Sequence, residues 1–520
     1  MGGDLHSNLR PPPPLMSSAA CARRAADRLS VAPMMEWTTP HFRFLARLLT
    51  RRTLLYTEMY VDNTLLFSPL AASMLRIHPV EHPVACQLGG ACPDSLARAA
   101  VLAAAAGYDE INLNCGCPSA KVAGEGAFGA RLMFSPELVR DCVAAMRAVV
   151  TIPVTVKCRL GADDMDSFDA FAHFVRTVSQ AGCEHFIVHA RKCLLRGLSP
   201  KDNRSIPPLR YDWVQRLAME MPHLRISING GVPDVGAACR LLALRRGGAA
   251  GSRSFNAGTG SCREWRPVAE PALEEGGFKA EGGSNAEASF ASAGEVTDTD
   301  DCCDGLGTKD GGLPSEADPR ACTMAVLDGS SPAEGVGLVD ASWPAWTVHP
   351  QCHLPGDSPP PDAFGADDAV LASVMIGRAA YTNPWLLATA DSRVFGDPDP
   401  GRTRRQVVAT YLDYCDEVLQ ASLGAGDLVN RHTDESGAVP TVPPMRSALK
   451  PFEMAKPLMG LFHGCVGGGR FRNVLTEGIQ GGNKGTGQRL GIREAVEAAL
   501  VVVPDHILDE APGARSHGGL

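Results

Sequence analysis

Residues 110–122, EINLNCGCPSAKV, run from a short apolar strand through Asn114 into a Cys-Gly-Cys-Pro turn that ends at Pro118. Such a turn lifts a thiol out of the end of a strand, where the catalytic groups of barrel enzymes sit. The same turn also suits a small packed cysteine, so the surroundings decide. Polar and glycine residues close seven apolar runs: Pro33, Met34 and Met35; Gln87; Asn114 and Cys117; Lys157 and Arg159; His189 and Arg191; Asn229, Gly230 and Gly231; Gly377 and Arg378. A Gly-Gly after one of the last two runs and a Gly-Arg after the other offer backbone N–H groups to a phosphate, which predicts a phosphate-bearing cofactor. Lys157 and Gln87 then suit the pyrimidine edge of a flavin, where a cation near N1 stabilises the reduced, anionic ring. Alternatively, Lys157 pairs with an acid such as Glu58. His189 is either a satisfied core histidine or, beside Arg191, a ligand contact.

The elements that must position these residues read as eight strands: 30–34, 54–59, 83–89, 110–115, 153–159, 185–190, 225–230 and 373–377. Helical patterns separate them, such as 93–107, opened by Asp94 and closed by Gly107, and 135–150, opened by Ser135 with Glu137 in its first turn. This alternation predicts an α/β fold, a parallel (β/α)8 TIM barrel, with an open doubly wound sheet as the alternative. Between the seventh and eighth strands, residues 246–368 are acidic, low-complexity text rich in Gly, Ser, Ala, Glu and Asp. Such text cannot bury enough apolar surface to order itself, so it reads as a long disordered insertion. Residues 1–29 read as a disordered extension or an organelle transit peptide. The barrel is expected over 30–245 and 369–400, and a small C-terminal helical domain over 401–512, with a loop insertion at 423–444.

Composition agrees with this division. The 520 residues include 54 Gly and 39 Pro, many in clusters, and 17 Cys, an odd number with no CxxC pair and no HExxH. Free thiols are therefore expected rather than disulfides, and no metal site. No apolar run approaches the roughly twenty residues that span a bilayer, so no membrane partner is expected. The net charge is −9, but residues 251–368 hold 6 basic and 21 acidic residues, which leaves about +6 on the remainder. The C-terminal helices carry Arg446, Lys450, Lys456, Arg470 and Arg472, either a solvated face or a grip on a polyanion.

Taken together, SVAPMMEWT, ACQLGG, EINLNCGCPSAKV, VTVKCRLG, FIVHARK, GLSPKDNRSIPPLRYDWV, ISINGG and VMIGRAAYTNPW resemble the tRNA-dihydrouridine synthases, in their A-type branch. The resemblance covers about residues 30–240 and 370–475. It implies an FMN enzyme that uses NADPH to reduce the C5–C6 double bond of uridine in the tRNA D-loop, at position 20. By matching motifs, Pro33, Met34, Met35, Gln87, Lys157, His189, Asn229, Gly230, Gly231, Gly377 and Arg378 would hold FMN. Cys117 would be the proton donor and Asn114 would sit beside the target base. Lys201 and Arg204 would contact tRNA, and Arg470 and Arg472 are looser tRNA candidates.

The chemistry implied is coherent. Hydride reaches C6 of the uracil from the flavin, and the charge developing at C5 needs an acid on the other face. A thiol with an unperturbed pKa near 8.5 is mostly protonated at neutral pH and can donate. The base would be drawn out of its stack into the barrel mouth, with Asn114 and Arg159 at its edge. Two departures stand out: Cys115 replaces an expected aliphatic residue and is assigned a structural part, and the acidic insertion has no counterpart in the family. Rival readings are a dihydroorotate dehydrogenase-like flavin enzyme acting on a free pyrimidine, and a tRNA-binding paralogue without catalysis. The compartment reads as cytoplasm or organelle (plastid or mitochondrion), undecided between them.

Overall fold

The computed structural model describes residues 28–125, 127–244, 369–429, 450–481 and 489–513. The expected insertion and all but the last two residues of the expected N-terminal extension lie outside the described residues. Eight strands form: β1 (Leu29–Val31), β2 (Leu55–Val61), β3 (Val84–Gly89), β4 (Glu110–Cys115), β5 (Val154–Arg159), β6 (His185–His189), β7 (Arg225–Asn229) and β8 (Ser373–Ile376). β1 thus takes Leu29, fully buried, out of the expected extension. Every pairing is parallel, in the order β1-β8-β7-β6-β5-β4-β3-β2. The ring closes where Ser30 bridges Leu54, through Val31 N–H to Leu54 O at 2.9 Å and Leu54 N–H to Leu29 O at 3.0 Å. The barrel expectation holds over the open sheet.

Helices follow the strands around the outside: α1 (Pro40–Leu49), α2 (Asp62–Phe67), α3 (Ala71–Met74), α4 (Pro93–Ala105), α5 (Pro136–Val149), α6 (Phe168–Ser179), α7 (Tyr211–Glu220) and α8 (Val235–Leu242). Thr39, Ser167 and Asp234 cap α1, α6 and α8 by accepting backbone N–H groups of the first turn. Asp94 lies in the first turn of α4 rather than at its cap, and Ser135 precedes α5 without a side-chain cap bond. Strand residues alternate: Cys86, Ile111, Val156, Val188 and Ile228 are buried on one side, while Tyr56, Ala85, Ile187 and Met375 cluster on the other. That interior also carries polar tiers, with Tyr56 OH donating to Glu110 Oε1 at 2.8 Å and His185 Nε2 at 2.6 Å from Ser227 Oγ.

After β8 come α9 (Arg378–Thr382), α10 (Arg404–Val429), α11 (Pro451–Ala455), α12 (Gly468–Gln480), α13 (Ile492–Leu500) and α14 (Asp505–Leu508). α10 runs seven residues into the expected 423–444 insertion, because helix continues through Gly424 and Gly426 to Val429. The C-terminal helices pack on α1, where the Phe44 and Tyr414 rings stack at 3.9 Å and His41 Nδ1 lies 2.9 Å from Tyr414 OH. Burial holds the His41 imidazole down to about 4, so it is neutral there.

Asp391 ties the start of the barrel to its end. Fully buried, it accepts from Thr50 Oγ1 at 2.5 Å and from the N–H groups of Arg51 and Arg52 at 2.7 and 3.2 Å. Removing it strands three donors beside the closure of the ring. Asp391→Ala is expected to cost about 2–4 kcal/mol, read as a lower urea midpoint, with Asp391→Asn losing less because it keeps an acceptor.

Candidate active site

The C-terminal strand ends share one mouth because all eight strands run parallel. Across the uppermost tier Asn114 stands in register with Lys157, Arg159 with His189, and His189 with Asn229. Beyond β4 the chain turns at Gly116. Asn114 Oδ1 accepts the N–H groups of Gly116 and Cys117, at 3.0 Å each, and so folds the turn back over the strand end. From Ala120–Glu125 the loop makes a π turn, then returns so that Ala130 N–H donates to Cys117 O at 2.9 Å. Gly129 allows that return: its φ is +63°, and a Cβ there would lie 2.7 Å from Cys117 O.

The two thiols differ in burial. Cys115, the last residue of β4, is fully buried opposite Cys158, and burial drives its pKa far up. Cys117 is half-buried. Burial also raises its pKa, outweighing the Ser119 backbone hydrogen bond and the cations Arg159, Arg204 and Lys157. A thiol raised in this way is protonated at neutral pH.

Lys157 pairs with no carboxylate among the described residues, Glu58 included; Glu58 instead accepts the N–H of Glu36 at 2.5 Å. Burial, with Arg159 beside it, lowers Lys157 to about 8. His189 is held neutral by burial and by Arg159 and Lys157. Its ring covers Gly230, where an added Cβ would meet His189 Cδ2 at 2.5 Å.

After β7 the two glycines pack closely against His189 and Leu209, while the glycine after β8 is uncrowded. Gly230 and Gly231 have φ of +103° and +66°, and a Cβ on Gly377 would touch only Ala32, at 4.0 Å. Asn229 Nδ2 donates to Met375 O at 2.9 Å and fixes β7 against β8. Arg378 is exposed without an ion pair among the described residues. Arg191, named by its place in the sequence but not assigned to the site, adds a second cation there: its Nη1 donates to Ser205 O and Pro207 O, while its buried Nε has no partner. Burial and neighbouring Arg378 both depress the Arg191 pKa, although Tyr211 raises it. Unpaired cations, an orphaned donor and backbone that only glycine adopts fit a phosphate.

Other expected residues divide. Pro33 and Met34 are half-buried and Met35 is 57% exposed, in a turn that Thr38 closes by donating to Met34 O at 3.1 Å. Trp37 of that turn stacks on Tyr381 of α9 at 4.5 Å. Gln87 is buried, and its amide engages Asn112 and Asn114. Arg159 spends Nε on Gly116 O and Nη1 on Lys192 O and Asn203 O, which leaves Nη2 for a ligand. Within SPKDNR, Asn203 is a buried staple to Leu194, while Lys201 and Arg204 are exposed. Arg470 and Arg472 are exposed on α12. Among the described residues no cluster of three His, Cys, Asp or Glu could hold a metal, and no helix is long and apolar enough to cross a membrane.

Fold and site together define a (β/α)8 barrel with glycine-rich turns and exposed or unpaired cations after β7 and β8 and a half-buried thiol beyond the end of β4. Residues 30–251 match the family model described as Dihydrouridine synthase (Dus). Over 206 residues the chain is 53% identical to the tRNA-dihydrouridine(20/20a) synthase of Shewanella oneidensis, covering 40% of this chain and 61% of that protein. Over 211 residues it is 54% identical to the Escherichia coli (strain K12) protein of the same name, covering 40% and 60%. Over 219 residues it is 53% identical to the one of Xanthomonas axonopodis pv. citri, covering 42% and 65%. The chain thus spans about six-tenths of the length of the curated relatives it matches.

Gly230→Ala would force a side chain into a left-handed backbone and against His189, at about 1–3 kcal/mol. The expected result is a folded protein whose urea midpoint falls by a corresponding amount, measured by equilibrium denaturation.

Proposed function

We propose that this chain is a tRNA-dihydrouridine synthase that reduces uridine to 5,6-dihydrouridine in the D-loop of tRNA, with FMN as cofactor and NADPH as reductant. Positions 20 and 20a are the target, as in the names of its relatives. The observation that carries the reading is the Cys117 turn, held by Asn114 beyond the end of β4, with burial favouring its protonated thiol.

The residues present fit FMN. Gly230, Gly231, Gly377, Arg378 and Arg191 would take its phosphate, and Lys157, His189 and Asn229 would line the ring. The bound cofactor, once reduced by NADPH, would supply hydride to C6 of the uracil. Cys117 then gives its proton to C5, so that the C5–C6 double bond becomes single and the thiolate regains a proton from solvent. Cationic Arg159 and Lys157, close enough to act on Cys117, favour the transient thiolate. Asn114 and Arg159 Nη2 face the extruded base. Lys201, Arg204, Arg470 and Arg472, all exposed, would meet phosphates of the tRNA and make binding salt-dependent. Retention of a base-facing Asn114 and of exposed Lys201 and Arg204 favours tRNA over a free pyrimidine.

Cys117→Ala is expected to keep flavin and to oxidise NADPH with an artificial acceptor at the wild-type rate, while dihydrouridine formation falls by about a hundredfold or more. Cys115→Ala should retain it. The opposite pattern, measured by nucleoside mass spectrometry of an unmodified transcript, would reassign the acid.

A further inference from the structure

A file of buried polar side chains crosses the barrel interior below the mouth. Thr155 Oγ1 donates to Glu110 Oε1 at 2.6 Å and accepts from Asn112 Nδ2 at 2.8 Å. Asn112 Oδ1 accepts from Gln87 Nε2 at 2.8 Å, and Gln87 Oε1 accepts from Asn114 Nδ2 at 2.8 Å. Asn114 Oδ1 then takes the N–H groups of Gly116 and Cys117. Glu110, Thr155, Asn112 and Gln87 are each 5% exposed or less. Water cannot replace a lost partner there, so each amide has only one workable orientation.

The direction of this file is set at its base. A hydroxyl has one proton, and Thr155 gives it to Glu110, whose same oxygen also accepts from Tyr56 OH. Thr155 can therefore only accept from Asn112, which turns Asn112 Oδ1 toward Gln87 and, in sequence, Gln87 Oε1 toward Asn114. Reversing the amides would set the Asn114 NH2 against two backbone N–H groups at the top and two oxygens 2.6 Å apart at the bottom. Asn114 Oδ1 is fully used by the turn, and Nδ2 keeps one spare hydrogen. Toward the mouth Asn114 is a donor only.

We propose that Glu110, Thr155 and Asn112 are positioning residues that act through Gln87 and Asn114, holding the Cys117 turn in place and matching the mouth to a base edge that carries a carbonyl oxygen, as uracil does. This rests on the reading of the site as a uridine reductase. A cytosine amino group at the same place would meet a second donor. The relay passes through Gln87, but none of its three positioning residues, Glu110, Thr155 and Asn112, is among the residues assigned to the cofactor.

Thr155→Val keeps shape and strand preference but deletes the hydroxyl, whereas Thr155→Ser keeps it. In the full-length, flavin-loaded protein, reoxidation of the reduced enzyme by unmodified tRNA in a single turnover is expected to slow about tenfold or more in Thr155→Val. Its KM for tRNA and its reduction by NADPH should be unchanged, and Thr155→Ser should stay within about threefold of wild type on the same scale. A second readout needs no turnover: alkylation of Cys117 by iodoacetamide, followed by peptide mass spectrometry, should accelerate in Thr155→Val alone as the turn loosens. Wild-type rates in Thr155→Val, or equal losses in Thr155→Ser, overturn the proposal. If Thr155→Val does not fold, Glu110→Gln serves, since its amide can offer an N–H to Thr155 and release the order; unchanged Cys117 alkylation there also overturns it. A wild-type chain that makes no dihydrouridine refutes the functional reading instead, and the alkylation arm still judges the relay.

Discussion

Two hydrogen bonds, from the backbone N–H groups of Gly116 and Cys117 to Asn114 Oδ1, hold the site together. Without them the chain leaving β4 has no reason to double back, and its thiol would have no fixed relation to the mouth. Other bonds secure the same turn from the sides: Arg159 Nε donates to Gly116 O at 2.9 Å, and Ala130 N–H to Cys117 O. The turn is thus anchored to β4, to β5 and to its own returning loop. Such anchoring on strands gives a more exact position than a free loop could.

Around this turn the charges are one-sided. Lys157, Arg159, Arg191 and Arg378 have no ion pair among the described residues, and His189 is neutral. Burial lowers the pKa of Lys157, Arg159 and Arg191. Cations held like this without counter-ions are costly unless an anion arrives. A phosphate-bearing cofactor and a polyanionic substrate would relieve that cost. The negative net charge of the whole chain conceals this, because residues 251–368, with 21 acidic and 6 basic residues, outweigh a mildly basic remainder.

Much of this could be read before any coordinates. Strands such as PVTVKCR and HFIVHA are short, β-branched and bounded by turn residues, and parallel strands alternating with helices leave few topologies. The Gly-Gly pair after β7 was a legible signal because only glycine readily takes the positive φ of Gly230 and Gly231. Other features were hidden for a physical reason. Glu110, Asn112 and Thr155 look like ordinary strand alternation until register sets Asn112 beside both Gln87 and Thr155. Arg159 looked like a ligand contact, yet three backbone carbonyls from neighbouring loops take most of its donors. Gly424 and Gly426 suggested a loop, but α10 continues through them. Local propensity is a weak guide where a long helix is already under way.

The central claim is that this barrel moves a hydride and a proton onto a uracil ring in tRNA. Its most direct test is to incubate the purified full-length protein with FMN, NADPH and an unmodified tRNA transcript, then to map the product by nuclease digestion and mass spectrometry. The account predicts that a D-loop uridine at position 20 or 20a gains the mass of two hydrogens, and that no cytidine does. Flavin-loaded protein that oxidises NADPH yet leaves every uridine of the transcript unchanged would contradict it.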